Sequence, residues 1–153
     1  QIVVDGDSYR VVPEFRYLGV YIDRAGRPST VAAHQLQAAK GSFARLCTYL
    51  GTQGWTLIWT RLVLYEVYVR THLTFGAPTW AAAYLRRGEI SSDRGPLGLL
   101  SITYRQGLRT MTGLDGYTRG AVLYIVTLRW PVEVALAKAV YRYYKGITED
   151  MSR

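Results

Sequence analysis

The alternation of apolar and polar positions changes period near residue 28. Before that point the chain reads in twos. Ile2-Val3-Val4, the Asp5-Gly6-Asp7 turn and Tyr9 to Val12 predict two paired strands, because Asp-Gly suits the positive backbone dihedrals of a tight hairpin. Pro13-Glu14 interrupts the pairing. Phe15 to Asp23 then reads as a central strand, with Leu18, Val20 and Ile22 on one face and Tyr17, Gly19 and Tyr21 on the other. Together these segments predict a small N-terminal antiparallel sheet of about three strands. A glycine inside a strand weakens it unless something approaches the backbone closely, and at Gly19 that something is either a packed element or a ligand. Arg24-Ala25-Gly26-Arg27-Pro28 ends the run.

Beyond Pro28 the period becomes helical. Ser29 or Thr30 is placed to cap a helix whose apolar stripe is Leu36, Ala39, Phe43, Leu46, Cys47 and Leu50, and Gly51-Thr52-Gln53-Gly54 closes it as a C-cap and turn. A second helix spans about Thr56 to His72 and is apolar on almost every side, with Trp55, Leu57, Ile58, Leu62, Val63, Leu64, Val67, Tyr68 and Val69, which predicts a central position. On it Glu66 and Arg70 are spaced to pair, leaving Arg61 as the freer cation. Pro78, after Gly76-Ala77, restarts the helix into Trp80 to Leu85. Arg86 to Pro96, with Ser91-Ser92-Asp93, reads as a polar loop. Pro96 then opens a helix buried along Leu97, Leu100, Tyr104, Leu108 and Met111. Gly113-Leu114-Asp115-Gly116 stops it, Thr118 caps a short helix to about Leu128, and Trp130-Pro131 turns into a last helix with Val132, Leu136, Ala139, Val140 and Tyr143 inward. The fold class is α+β, mainly α: a small N-terminal antiparallel sheet followed by a helical bundle. Three parts follow: 1-28 as the sheet, 29-112 as the bundle, and 113-153 as C-terminal helices packed on it.

A chain of 153 residues with 49% hydrophobic content supports one domain with a real core, which excludes disorder. The net charge of +8 is unevenly placed. Residues 1 to 28 carry four basic and four acidic groups, residues 29 to 71 four and one, residues 72 to 112 five and two, and the remainder six and four. The excess begins with the helices and is mostly arginine, whose planar fork donates bidentately to phosphate; this is the expected footprint of a phosphate-binding surface, the alternative on charge alone being a generally soluble basic protein. A lone Cys47 forms no internal disulfide and reads as a small buried hydrophobe, consistent with an intracellular setting, nucleus or organelle included. No apolar run approaches about 18 residues and no leader pattern opens the chain, so neither a membrane span nor a signal peptide is supported. Gln1 in place of an initiator methionine suggests a processed chain or a piece of a longer one.

Catalytic chemistry finds no footing. His34 and His72 lack ligand-spaced companions, Asp5 and Asp7 belong to the hairpin turn, Glu66 and Glu133 are isolated, and Ser42 and Ser101 have no base in a recognised frame. No catalytic residue, metal site or cofactor is expected in this chain. Most of the 13 tyrosines and four tryptophans sit at helical spacing and read as packing. Tyr17 and Tyr21, flanking Gly19, are the candidates for a contact surface.

Several motifs, in order, resemble one family. Phe15-Arg16-Tyr17-Leu18-Gly19-Val20-Tyr21-Ile22-Asp23 resembles the primer-grip strand at the palm–thumb boundary of reverse transcriptases from non-LTR retrotransposons. His34 and Lys40 match the helix after it. Arg61, Leu64, Tyr65 and Tyr68, then Phe75-Gly76-Ala77-Pro78-Thr79-Trp80, are similar to its next motifs, with Phe75 in place of a tyrosine and Pro78 in place of a glutamate. Tyr104 to Gly113 and Thr118, Ala121, Val122 and Pro131 continue the series, with the Gln-Arg order inverted at Arg105-Gln106. The family's metal-binding Tyr-x-Asp-Asp hairpin would lie before Gln1. The resemblance implies a thumb-like bundle that holds RNA or an RNA/DNA duplex by its backbone. Phe15, Arg16, Tyr17, Leu18 and Gly19 would position a primer, and Lys40, Arg45 and Arg61 would contact phosphates. Arg105 and Arg109, four apart on one helical face, complete the candidate set. RNA-directed DNA polymerase activity would require joining to a complete palm. The alternative is a co-opted, reverse-transcriptase-derived structural protein within a ribonucleoprotein or other large assembly. Partners are accordingly RNA or RNA/DNA duplex and the remaining polymerase domains or assembly proteins, with no membrane.

Overall fold

The computed structural model describes residues 2–52, 56–86 and 95–151. Strands β1 (Ile2–Val4) and β2 (Asp7–Tyr9) pair antiparallel around Asp5-Gly6, both at positive φ, as the Asp-Gly signal predicts. The strand ends at Tyr9 and does not continue to Val12. The next run departs from the sequence expectation. Phe15 to Asp23 is not one strand but a second hairpin, β3 (Glu14–Tyr17) and β4 (Val20–Asp23), so the N-terminus holds two separate two-stranded sheets and no three-stranded one. Leu18 (φ 47°) and Gly19 (φ 85°) fold the run back on itself, and each strand spends its ladder on the other. Register now pairs Arg16 with Tyr21 and Tyr17 with Val20. Tyr17 and Tyr21 therefore face opposite sides, and Tyr17 joins Phe15 instead, their ring centroids 6.5 Å apart.

β4 is tied to helix α1 (Pro28–Thr52) through Asp23, whose side chain is almost wholly enclosed. Its carboxylate accepts hydrogen bonds from Arg27 Nε (2.5 Å), the Ala25 amide (2.9 Å) and Thr30 Oγ1 (3.0 Å). Thr30 thus serves this knot and not a helix cap, and both Ser29 and Thr30 lie inside the first turn. The Arg27 hydrogen bond, followed by that from Ala25, holds the Asp23 carboxyl at about 2, well below the usual carboxylate range. A pKa lowered by folding stabilises the native state above the unfolded value, roughly 3.9, and that contribution is lost as pH falls toward the folded value. Thermal melts between pH 6 and pH 2 should therefore show a drop in Tm below about pH 4 that is distinctly shallower in Asp23→Asn. An unchanged profile in the variant would dissociate Asp23 from acid sensitivity.

The helices follow in the predicted order: α2 (Ile58–Tyr65), a π-helical turn at Glu66–Arg70, α3 (Thr71–Thr74), α4 (Ala77–Arg86), α5 (Gly95–Thr112), α6 (Gly120–Thr127) and α7 (Val132–Met151). The turn signals at Gln53-Gly54, Trp55, and the loop signal at Ser91-Ser92-Asp93 lie outside the described residues. α1 packs on α3, α5 and the π turn, α2 on α5, and α4 on α7. The core they enclose is built on Tyr65, Leu73, Trp80, Leu100, Tyr104, Leu108, Leu123 and Leu136. All five stripe residues expected on α5 are buried. Tyr65 and Tyr104 stack at 5.7 Å in its middle. The Tyr65 hydroxyl donates to the Tyr104 carbonyl (3.2 Å), and the Tyr104 hydroxyl donates to Glu66 Oε1 (2.5 Å). Glu66 also pairs with Arg70, as their spacing predicts. Burial pushes both phenols far above their ordinary range, Tyr104 further helped by its bond to Glu66.

Three expectations are corrected by this packing. The segment expected as one central helix from about Thr56 to His72 is not central: Leu62, Tyr65 and Val69 are buried, while Trp59, Val63 and Val67 face solvent. The period of an all-round apolar helix does not say which face meets water. Thr118 is not the cap of α6; Arg119 occupies that position and the Thr118 carbonyl is engaged by Arg109. Tyr143 is exposed, because α7 runs on beyond its buried segment at Val132, Leu136 and Val140. On α6, Val122, Ile125 and Val126 also lie open to solvent, continuing to Leu128 and Trp130. Among the described residues no single helix is long and apolar enough to cross a membrane.

Candidate nucleic-acid interface

The β3–β4 hairpin lies where α1 meets the α3–α4 junction, and a glycine lock fixes it there. Phe75 is extended and Gly76 adopts φ 64°, breaking the helix; Trp80 Nε1 donates to the Phe75 carbonyl (3.0 Å) and Thr79 Oγ1 to that of Gly76 (2.7 Å). A β-carbon at Gly76 would stand 2.8 Å from Val20 Cγ2, and one at Gly19 would stand 3.1 Å from the Phe75 ring. Gly19 thus has a packed neighbour at its backbone while also lining the groove beneath the hairpin.

Between the hairpin, α1 and α3 lies a groove of about 480 Å³. One wall is a ladder of planar groups. The Arg16 guanidinium lies 5.8 Å from the Tyr21 ring centroid, and Tyr21 stacks on His34 with centroids 3.7 Å apart and planes within 9°. His34 Nε2 meets Glu14 Oε2 at 2.8 Å, which fixes the ring. Gln37, Gly41 and Arg45 form the floor at four-residue spacing on α1, and His72 and Phe75 close the far side. Among the described residues no Asp or Glu lines it. Among the described residues no three of His, Cys, Asp and Glu cluster as a metal site would require.

Of the candidate residues, the fold brings Arg16, Gly19 and Arg45 together in this groove. Lys40 is exposed beside Gly41 on α1. Phe15, Tyr17 and Leu18 are exposed on the hairpin, Leu18 at its tip with 80% of its surface in solvent. Leu18 is also held at positive φ, a conformation that costs a side chain with a β-carbon about 1–2 kcal/mol. Arg61 is half-buried on α2, one turn before Leu64, and its Nε finds no hydrogen-bond partner among the described residues. Arg105 and Arg109 are elsewhere. Arg109 spends Nε and Nη2 on the Thr118 carbonyl (3.2 and 2.7 Å), bracing the turn between α5 and α6, and the Arg105 side chain packs over Gly120. Gln37 and His72 are not binding candidates in the sequence, and Arg16, Tyr21 and His34, each named there, are not joined there as a ladder. A Leu-Gly pair read as a turn would have put Arg16 opposite Tyr21, and the spacing of Gln37, Gly41 and Arg45 is visible on a helical wheel.

Comparison with protein-family models, curated proteins and solved structures finds no match for this chain.

Proposed function

We propose that this chain is a thumb-like nucleic-acid-binding module, of the kind that follows the palm in reverse transcriptases of non-LTR retrotransposons, and that it holds RNA or an RNA/DNA duplex by its backbone. The observation that carries the reading is the groove beneath the β3–β4 hairpin: two arginines, amide and imidazole donors, a cation–aromatic ladder and, among the described residues, no lining carboxylate. Phosphates take Arg16, Lys40 and Arg45, with Arg61 further along, and the primer end lies against the hairpin tip at Phe15 to Gly19. Such contacts neutralise phosphates without reading base edges, so binding is nearly independent of sequence. Phosphoryl transfer would come from metal-binding carboxylates outside these residues.

Lys40→Ala, Arg45→Ala and Arg61→Ala together should weaken RNA and duplex binding across all sequences tested, measured by fluorescence anisotropy from low to high salt. Each lost phosphate contact should flatten the plot of log affinity against log salt by roughly 0.7 to 0.9. A triple variant that binds as tightly, with the same slope, would remove the groove from the account. The second reading, a reverse-transcriptase-derived structural protein in a ribonucleoprotein, is favoured by the exposed apolar side chains of α6, a surface type that marks association in soluble proteins.

A further inference from the structure

We infer that a second pocket, between α1 and α2, takes a single unpaired nucleobase, so that the module prefers a duplex carrying a single-stranded extension to a blunt one. The inference rests on the proposed nucleic-acid reading and adds a site and a ligand class to it. The pocket encloses about 370 Å³ and is lined by Ser42, Arg45, Leu46, Tyr49, Leu64 and Tyr68. Leu46 is buried and Leu64 half-buried, giving an apolar base to the pocket. Tyr49 from α1 and Tyr68 from the π turn each leave 58% of their surface in solvent. Tyr65, three residues before Tyr68, is enclosed completely, whereas these two rings border the open pocket.

Two features select the occupant. Arg45 lines both this pocket and the basic groove, which makes the two cavities neighbours along one helix. Tyr49 lies one turn beyond Arg45, about 6 Å along the axis, within the reach of adjoining nucleotides on one strand. Among the described residues no carboxylate lines the pocket to repel a phosphate. A base in a duplex has both faces covered by its stacked neighbours, whereas an unpaired base offers a bare face to a phenol ring, and such stacking tolerates any base. The strand whose backbone lies on Arg45 therefore delivers its first unpaired base to Tyr49 and Tyr68.

The test uses the full chain and three RNA probes: a blunt duplex, the same duplex with a short single-stranded extension, and the extended duplex carrying 2-aminopurine in that extension. The extension should tighten wild-type binding by roughly tenfold, and 2-aminopurine fluorescence should be quenched on binding. Tyr49→Leu and Tyr68→Leu, which keep apolar bulk, should abolish the advantage and the quenching while leaving blunt-duplex affinity and its salt slope intact. Tyr68→Phe, which keeps the ring, should behave as wild type. Equal affinity of the wild type for blunt and extended duplexes would overturn the inference while the groove reading stands. Equal loss on both probes in the leucine variants would overturn it too, by showing a packing role. A proline-rich peptide that binds through the same tyrosines when RNA does not would replace the nucleobase with a protein ligand. Failure of the blunt duplex to bind in a salt-dependent way would instead remove the groove reading beneath it.

Discussion

Gly107→Val is expected to lower the melting temperature more than any surface substitution, by roughly 6–12 °C for a loss of about 3 kcal/mol in a chain of this size. Gly107 is buried on α5 where α2 crosses it, and a β-carbon there would collide with the Tyr65 ring and its hydroxyl. Tyr65 has nowhere to go. It is fully buried, stacked on Tyr104, edge-on to Phe43 at 5.7 Å, and donates its hydroxyl to the Tyr104 carbonyl. The added methyls must therefore push the helices apart, breaking contacts that include the Tyr104–Glu66 bond. Gly146→Ala on α7 supplies the control. Its β-carbon would meet nothing within 4 Å, so the helix preference of alanine should raise stability by up to ~1 kcal/mol. Circular dichroism melts of the two variants read both signs, and a Gly107→Val protein that melts with the wild type would refute the α2–α5 packing described.

Gly76→Val should cost about 2–4 kcal/mol and, unlike Gly107→Val, should act chiefly on the hairpin. Two terms add. The φ of 64° is unfavourable for any residue with a β-carbon by about 1–2 kcal/mol, and that carbon would press on Val20 Cγ2. The core helices bury their own contacts, so the weaker partner yields: β4 lifts from the α3–α4 junction and takes Arg16 and Tyr21 with it. Urea unfolding should show a lower midpoint, and RNA affinity should fall even under conditions where the variant remains folded. Wild-type affinity in a destabilised Gly76→Val protein would separate the groove from the hairpin's seat.

The legible and illegible parts of this fold divide along physical lines. Every stripe residue of α5 was visible in advance because Leu97, Leu100, Tyr104, Leu108 and Met111 repeat at helical spacing and are all buried. Asp5-Gly6 announced its hairpin by composition, since both residues tolerate positive φ. Leu18-Gly19 makes the same turn without the announcement. A two-residue loop puts Tyr17 on the face of Val20 and so shifts the alternation by one position, a slip too small to read in a nine-residue run, and leucine at positive φ carries no signal at all. The role of Arg109 was hidden for another reason: its partner is a backbone carbonyl nine residues on, and charge tells nothing of that. The groove draws on the hairpin, α1 and the end of α3, which only packing brings together.

The π turn at Glu66–Arg70 stands between Leu64, in the tyrosine pocket, and His72, in the basic groove. Closing its ring takes one residue more than an α turn. Each residue of an α-helix advances the side-chain direction by about 100°, so this turn works as a phase shifter between the two halves of one wall. Loss of Val67, the turn's solvent-facing valine, would keep every side chain that lines the two cavities yet swing Leu64 out of line with His72. The length of this segment is thus as much a determinant of the cleft as any basic group in it, and homologues that align without gaps across Glu66–Arg70 would share its geometry even where its residues differ.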